Sequence, residues 1–512
     1  MNVSQLVSDI SFKIPERPAV MAPKFFGAHQ WTFSELEQRI NLFCHRLKVL
    51  GITPGSKVLF FVKPNEDFAA ITFALFRIGA VIIFIDPGMK KKYFFECLKE
   101  VEADAVIGIK RVHILLSAMK KKLPSIRIKI NLTSSRFLGS LPLYRNLYAN
   151  DQKVQFYEPK VDELAAILYT SGGTGKPKGV EYTHEIFINQ TKMLQEEFNL
   201  TYKDSDIPCF PLFSFFTLSM GMTNYLPPID VSKPSKANPR KLYMAIIKNE
   251  ATFVAGSPAI WTKLADYCEK YHLTIPSVKY LVMFGAPIPK SIHNKFSKIL
   301  LNGEVYTPYG ATECLPVANI STSSLKVSDK GICVGKPLNG VEVKIIKNTN
   351  EVIDRIDEIN NTQIGEILVT SKNVTKKYYK QEVETLNSKI IVENTTWHRM
   401  GDLGFFDEDG HLWFCGRKKH CFEYNGKYFY TIPQEMKFNK VKGVKKSALI
   451  LTSLGPKLVI EKEENYDLDL IKNEVFNIEA SIKDIIIEKE LPVDTRHNIK
   501  IDRTALSKKY WS

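Results

Sequence analysis

The sequence has no C-x-x-C pair. Its eight cysteines are scattered. Cys415 and Cys421 flank His420, but no fourth ligand stands nearby in sequence, so a zinc site is not expected. Dispersed, unpaired cysteines fit a reducing cytoplasm. The first residues lack a basic stretch followed by an apolar core, so no signal peptide is expected. The most hydrophobic run, Phe68 to Ile85, contains Arg77 and Gly79. It reads as helix, glycine turn and strand rather than a membrane span. There is no internal repeat, no nucleic-acid motif and no dense basic block. Lys90-Lys91-Lys92 and Lys120-Lys121-Lys122 are the densest early runs. The excess of 70 Lys and Arg over 55 Asp and Glu, a net charge of +15, therefore reads as a solvated lysine-rich surface. Contact with an anionic membrane surface is the alternative.

What is present is ordinary for a globular protein: 44% hydrophobic and 24% charged residues over 512 positions, enough for more than one domain. The most informative stretch is Tyr169 to Val180, YTSGGTGKPKGV, with four Gly, two Thr, one Ser and two Lys. It follows the apolar run Leu164 to Leu168, which reads as a buried strand, and precedes Thr183, a candidate N-cap for a helix. Strand, glycine-rich loop and helix together form a phosphate cradle: glycine lets successive N–H groups point inward, and hydroxyls and lysines add donors and charge. A Walker A loop is excluded, because Gly175-Lys176 is followed by Pro177 where that motif needs Ser or Thr.

Along the chain, Ser34 and Glu37 have capping-box spacing, and Leu36, Ile40, Phe43, Cys44 and Leu47 share one helical face. Strand Val58–Val62, helix Phe68–Phe76 and strand Val81–Ile85 predict a βαβ unit and hence a parallel sheet. The α/β rhythm resumes after the glycine-rich loop. The aromatic cluster Phe210, Phe213 and Phe216 is either core or the lining of an apolar ligand site. Gly285-Ala286-Pro287 and Tyr309-Gly310-Ala311-Thr312-Glu313 follow strands, where parallel sheets bind ligands. From Val341 alternating strands predict a small β subdomain, and beyond residue 416 the tail reads as a separate α+β unit.

These pieces together resemble the acyl-adenylate-forming superfamily, which contains acyl-CoA synthetases, luciferases and peptide-synthetase adenylation domains. The resemblance runs from Trp31 to Arg503 and rests on YTSGGTGKPKG (169–179), GAP (285–287), YGATE (309–313), GDLG (401–404), GRKKH (416–420) and Lys500. A narrower likeness, to the olefin β-lactone synthetase branch, is carried by TPYGATECLPVA (307–318), WHRMGDLG (397–404), WFCGRKKH (413–420), YTIPQE (430–435) and PVDTRHNIK (492–500). The resemblance implies an adenylation domain over 1–416 and a mobile α+β C-terminal domain over 417–512. It also implies MgATP as cofactor and a lipidic carboxylic acid as substrate, with partner enzymes of lipid biosynthesis as the alternative to the membrane-surface contact read from the charge.

By resemblance, Thr170, Ser171, Thr174 and Lys178 hold the β- and γ-phosphates while Gly172, Gly173 and Gly175 let the loop wrap. Thr312 contacts the α-phosphate and Glu313 holds Mg²⁺; read alone, the pair is a helix N-cap with a first-turn acid. Tyr309 stacks on adenine, bordered by Gly285, Ala286 and Gly310. Asp402 accepts the ribose hydroxyls with help from Arg417. Lys500 bridges the carboxylate and the α-phosphate, with Arg496 and His497 nearby, and the tail rotates about Lys419–His420. Three residues depart from the family pattern: Gly173 for Ser, Ile499 before the lysine for Gly, and His420 for an acid. His184 is a candidate base, or else a capping or surface histidine. The implied reaction is adenylation of a 2-alkyl-3-hydroxy acid and closure to a β-lactone. The alternatives are a fatty acyl-CoA synthetase, which needs CoA, and a non-catalytic nucleotide- or acyl-binding relative.

Overall fold

The computed structural model describes the chain except residues 24–27, 87, 146, 148–152, 171–175, 232, 287, 483, 494–499 and 512, and the side chains of 28, 120 and 170. The chain divides into two compact units. The first is Met1–Val282 with Asn294–Val305 and Thr375–Thr385; the second is Met283–His293, Tyr306–Val374 and Leu386–Ser512.

The first unit is α/β. Lys57–Phe61 pairs in parallel with Val81–Ile85 and with Ala105–Gly108, and Val81–Ile85 pairs in parallel with Leu164–Thr170. Helix Phe68–Arg77 makes the crossover predicted for the βαβ unit. Such strands are covered on both faces, so they are nearly continuous apolar runs; Val58, Leu59, Ile82, Ile83, Ala165, Ala166 and Ile167 are all buried. A second sheet of this unit runs through Phe253–Gly256, Ser205–Pro208, Thr223–Tyr225, Pro18–Pro23 and Ala28–Thr32.

Two local features differ from the sequence pattern. The helix expected after Ser34 starts at Phe33, and its capping box is Thr32 with Glu35. Thr32 Oγ1 accepts the Glu35 N–H at 3.2 Å, and Glu35 accepts the Thr32 N–H at 2.7 Å. Strand Ala28–Thr32 delivers the extended backbone that a cap requires two residues earlier than the spacing implied. Arg77, which broke the apolar run, is 1% exposed. Its guanidinium donates to both Glu37 carboxylate oxygens (2.6 and 2.8 Å), to Asn41 Oδ1 and to Ser4 Oγ.

The second unit is built on an antiparallel sheet in the order Tyr309–Ala311, Cys314–Asn319, Ile332–Pro337, Leu412–Arg417, Thr395–Phe406, Gly365–Ser371, Val341–Ile346. The tail has its own cluster of buried apolar residues, among them Phe429, Phe438, Leu458, Ile460 and Val475. These join helices Thr431–Phe438 and Leu468–Ile478 to a sheet of Val444–Thr452, Gly455–Lys462 and Asp484–Glu488. Among the described residues no helix is long and apolar enough to cross a membrane.

Breaking a buried ion pair from one side strands the other charge. Glu37→Gln is therefore expected to lower the unfolding free energy by about 3 kcal/mol in urea titrations. A loss below about 1 kcal/mol would show that Arg77 finds its compensation elsewhere.

Candidate active site

The glycine-rich stretch does not lead directly into a helix as its pattern implied. Leu164–Thr170 and Lys178–Thr183 are antiparallel neighbours, with Tyr169 opposite Gly179 and Thr170 opposite Lys178. A β-hairpin arm therefore separates the loop from helix His184–Glu197, whose N-cap Thr183 accepts the Ile186 N–H at 3.2 Å. Ser171, Gly172, Gly173, Thr174 and Gly175 lie outside the described residues. Gly179 is required on this arm, because a Cβ there would come within about 3 Å of the Tyr169 ring. Lys178 Nζ is 2.5 Å from the Glu384 carboxylate and lies over the Tyr378 ring. Lys176 Nζ is 2.9 Å from Glu100. The local sequence offered no signal for Glu100, Tyr378, Gln381 or Glu384, because they come from helix Lys91–Val101 and from a segment some two hundred positions downstream.

In the second unit, adjacent strands Thr395–Phe406 and Leu412–Arg417 place Asp402 opposite Arg417. Asp402 is 2% exposed. The Tyr309 hydroxyl donates to its Oδ2 at 2.7 Å. Arg417 Nε stands 3.1 Å from Oδ1, but off the line that a hydrogen bond requires, so this buried oxygen keeps an unfilled acceptor position. Burial pushes the Asp402 carboxyl above its ordinary range, while Arg417, the Tyr309 hydroxyl, Lys500 and Lys419 pull it back. Lys500 is exposed, yet its charge is felt at Asp402. Four of the residues singled out from sequence, Tyr309, Asp402, Arg417 and Lys500, are thus brought into one electrostatic neighbourhood. A buried acceptor with an open lone pair suits a polyol hydroxyl.

Thr312 and Glu313 do not open a helix. They form the turn of the hairpin Tyr309–Ala311/Cys314–Asn319. Gly310 lets the hairpin strands close up, since a Cβ there would meet the Cys314 carbonyl at 2.8 Å. Gly285, with φ +94°, turns the chain after Tyr280–Met283, and Ala286 is half-buried. The Thr312 hydroxyl and Glu313 carboxylate are oxygens of the kind Mg²⁺ takes. Among the described residues, Asp407, Asp409 and His411 also cluster, but Lys326 Nζ already bridges the two carboxylates.

His184 is neither a surface residue nor a cap. It is buried, its Nδ1 accepts the Val3 N–H at 3.2 Å, and burial pushes its pKa down to about 4. His420, the departure at the joint, sits in the short turn Lys418–His420 and is pushed down to about 3, first by burial and then by Arg503, Lys419 and Arg417. At neutral pH it is uncharged, where the family has an acid. The His497 side of the Lys500 loop, residues 494–499, lies outside the described residues.

A family model described as AMP-binding enzyme matches residues 12–379, and the chain belongs to this family. Two relatives carry the name olefin beta-lactone synthetase. The one from Xanthomonas campestris pv. campestris is 31% identical over 99% of this chain and 97% of its own length. The one from Stenotrophomonas maltophilia is 30% identical over 99% of this chain and 97% of its own length. Among solved structures, ATP-bound MatB from Rhodopseudomonas palustris superposes with a TM-score of 0.82 at 20% identity, covering 100% of this chain and 99% of that one. The chain is an adenylate-forming ligase of the α/β fold predicted from its sequence.

An ionised carboxylate is a stronger acceptor than a neutral acid, so if Asp402 takes the ribose hydroxyls, binding is expected to weaken as pH falls through its raised pKa. The Tyr309 hydroxyl lowers that pKa. Tyr309→Phe is therefore expected to move the acid limb of ATP binding upward by about half a pH unit or more, measured by calorimetry across pH. An unmoved limb would mean that Asp402 does not meet the nucleotide.

Proposed function

We propose that this enzyme joins the carboxylate of a 2-alkyl-3-hydroxy acid to the α-phosphate of MgATP, releases pyrophosphate, and closes the acyl-AMP to a β-lactone with release of AMP. The observation that carries the nucleotide part is the buried Asp402, with one acceptor position open and Tyr309, Arg417 and Lys500 around it. The lactone part is supported by two relatives of that name matched over 97% of their length.

A carboxylate is a poor electrophile, because its leaving group would be an oxide; in an acyl-AMP the leaving group is AMP. The obstacle is the meeting of two anions, so the site must aim cations and donors at the reacting oxygens. In this reading Thr170, Ser171, Thr174 and Lys178 hold the outer phosphates, with Gly172, Gly173 and Gly175 shaping the loop. Thr312 donates to the α-phosphate and Glu313 is the oxygen ligand for Mg²⁺, which supplies charge neutralisation. Asp402 and Arg417 orient the ribose; Tyr309, Gly285, Ala286 and Gly310 border the adenine. The Lys500 ammonium neutralises the carboxylate oxygen as it bonds to phosphorus and the pyrophosphate oxygen departs.

Residues 417–512 act as a mobile domain in this reading and 1–416 as the adenylation domain. The separate apolar cluster of the tail supports that division. In the second step the substrate's own 3-hydroxyl oxygen attacks the acyl carbon. Its proton goes to solvent, the acyl–phosphate bond breaks and AMP leaves. No CoA enters the balance.

Mass spectrometry of the products from a 2-alkyl-3-hydroxyalkanoate and MgATP is expected to show β-lactone and AMP without CoA. A thioester formed only when CoA is present would assign the second step to an acyl-CoA synthetase instead. Lys500→Ala is expected to slow acid-dependent pyrophosphate exchange by about 100-fold or more, in line with loss of a charge aimed at the transition state. An undiminished rate would remove Lys500 from the chemistry.

A further inference from the structure

The phosphate-loop arm carries two lysines, and in this structure both are already neutralised. Residues 375–385 lie along the arm: the Tyr379 N–H donates to the Gly179 carbonyl at 2.7 Å, Val180 bridges to Tyr378, and the Gln381 amide donates to the Pro177 carbonyl at 3.3 Å. The same amide reaches Glu100 Oε1 at 2.6 Å, while Glu100 Oε2 holds Lys176 at 2.9 Å. The Lys57 ammonium and Tyr379 hydroxyl, 3.2 Å apart, tie the segment to strand Lys57–Phe61.

The two lysine pairs differ in kind. The Glu100 side chain is 13% exposed and shared with Gln381, so it is fixed in the frame even though its partner Lys176 is 60% exposed. The Glu384 side chain is 46% exposed and Lys178 is 30% exposed. An ion pair that water reaches is weak, and a polyphosphate offers the same ammonium a stronger, charge-assisted partner. In this structure Lys178 also lies over the Tyr378 ring, 4.8 Å from its centroid.

Resting on the functional reading above, we propose that Glu384 is the exchangeable counter-ion of Lys178. Its carboxylate holds the ammonium over Tyr378 in the nucleotide-free chain, yields it to the outer phosphates of ATP, and takes it back as pyrophosphate leaves. Glu384 is thus a positioning residue that sets the affinity for the polyphosphate at both loading and release. With the carboxylate gone, the phosphates meet no competitor.

The test is calorimetry on the full chain with ATP, pyrophosphate and adenosine, using wild type, Glu384→Gln, Glu384→Ala, Lys178→Met and the Glu384→Gln/Lys178→Met double variant. Both Glu384 variants are expected to tighten ATP and pyrophosphate by about threefold, the scale of a partly exposed ion pair, and to leave adenosine unchanged. In the Lys178→Met background the gain is expected to vanish. Circular dichroism establishes that each variant is folded. Unchanged or weaker ATP binding in folded Glu384 variants, or the same gain without Lys178, overturns the proposal. A wild-type chain that binds no ATP overturns the functional reading itself, and this inference with it.

Discussion

A carboxylate withdrawn from water is tolerated only where donors and cations surround it, and Asp402 is the point at which this constraint organises the second unit. Its strand sits beside the one that carries Arg417, and a hairpin from earlier in the chain delivers the Tyr309 hydroxyl. Burial and partners act in opposite directions on the same group. The result is a carboxyl raised above its ordinary range, with one oxygen not fully satisfied.

The first unit manages charge in a complementary way. Arg77 is sealed inside it at 1% exposure, held by Glu37 at the edge of the buried region. On the glycine-rich arm the two carboxylates differ, Glu100 being 13% exposed and Glu384 46%. Sealed pairs fix structure because breaking them strands a charge, and half-exposed pairs can exchange partners because water shares the cost. A ligand site for an anion needs the second kind.

Much of the fold was legible in the sequence. The apolar runs at 58–62, 81–85 and 164–168 are strands because a parallel sheet is covered on both faces, so composition alone marks them. The alternation after Val341 is an antiparallel sheet for the corresponding reason. Local signals failed where a neighbour in space decided the outcome. Thr32 rather than Ser34 caps its helix because a strand ends there. Thr312 and Glu313 turn a hairpin because Gly310 lets Cys314 approach. His184 looked like a cap or a surface residue but is buried against Val3.

The sequence by itself determined the family and the fold class, because glycine-rich loops and buried strands are local patterns that chemistry restricts, and through the family resemblance it singled out Tyr309, Asp402, Arg417 and Lys500 as candidates. Only the tertiary structure decided which charges face one another. It set Tyr309 on Asp402, left one Asp402 oxygen open, and brought Glu384 to Lys178 from a distant part of the chain. The reason is physical: Coulomb energy and desolvation depend on separation in space and on exposure to water, and neither is written in residue order.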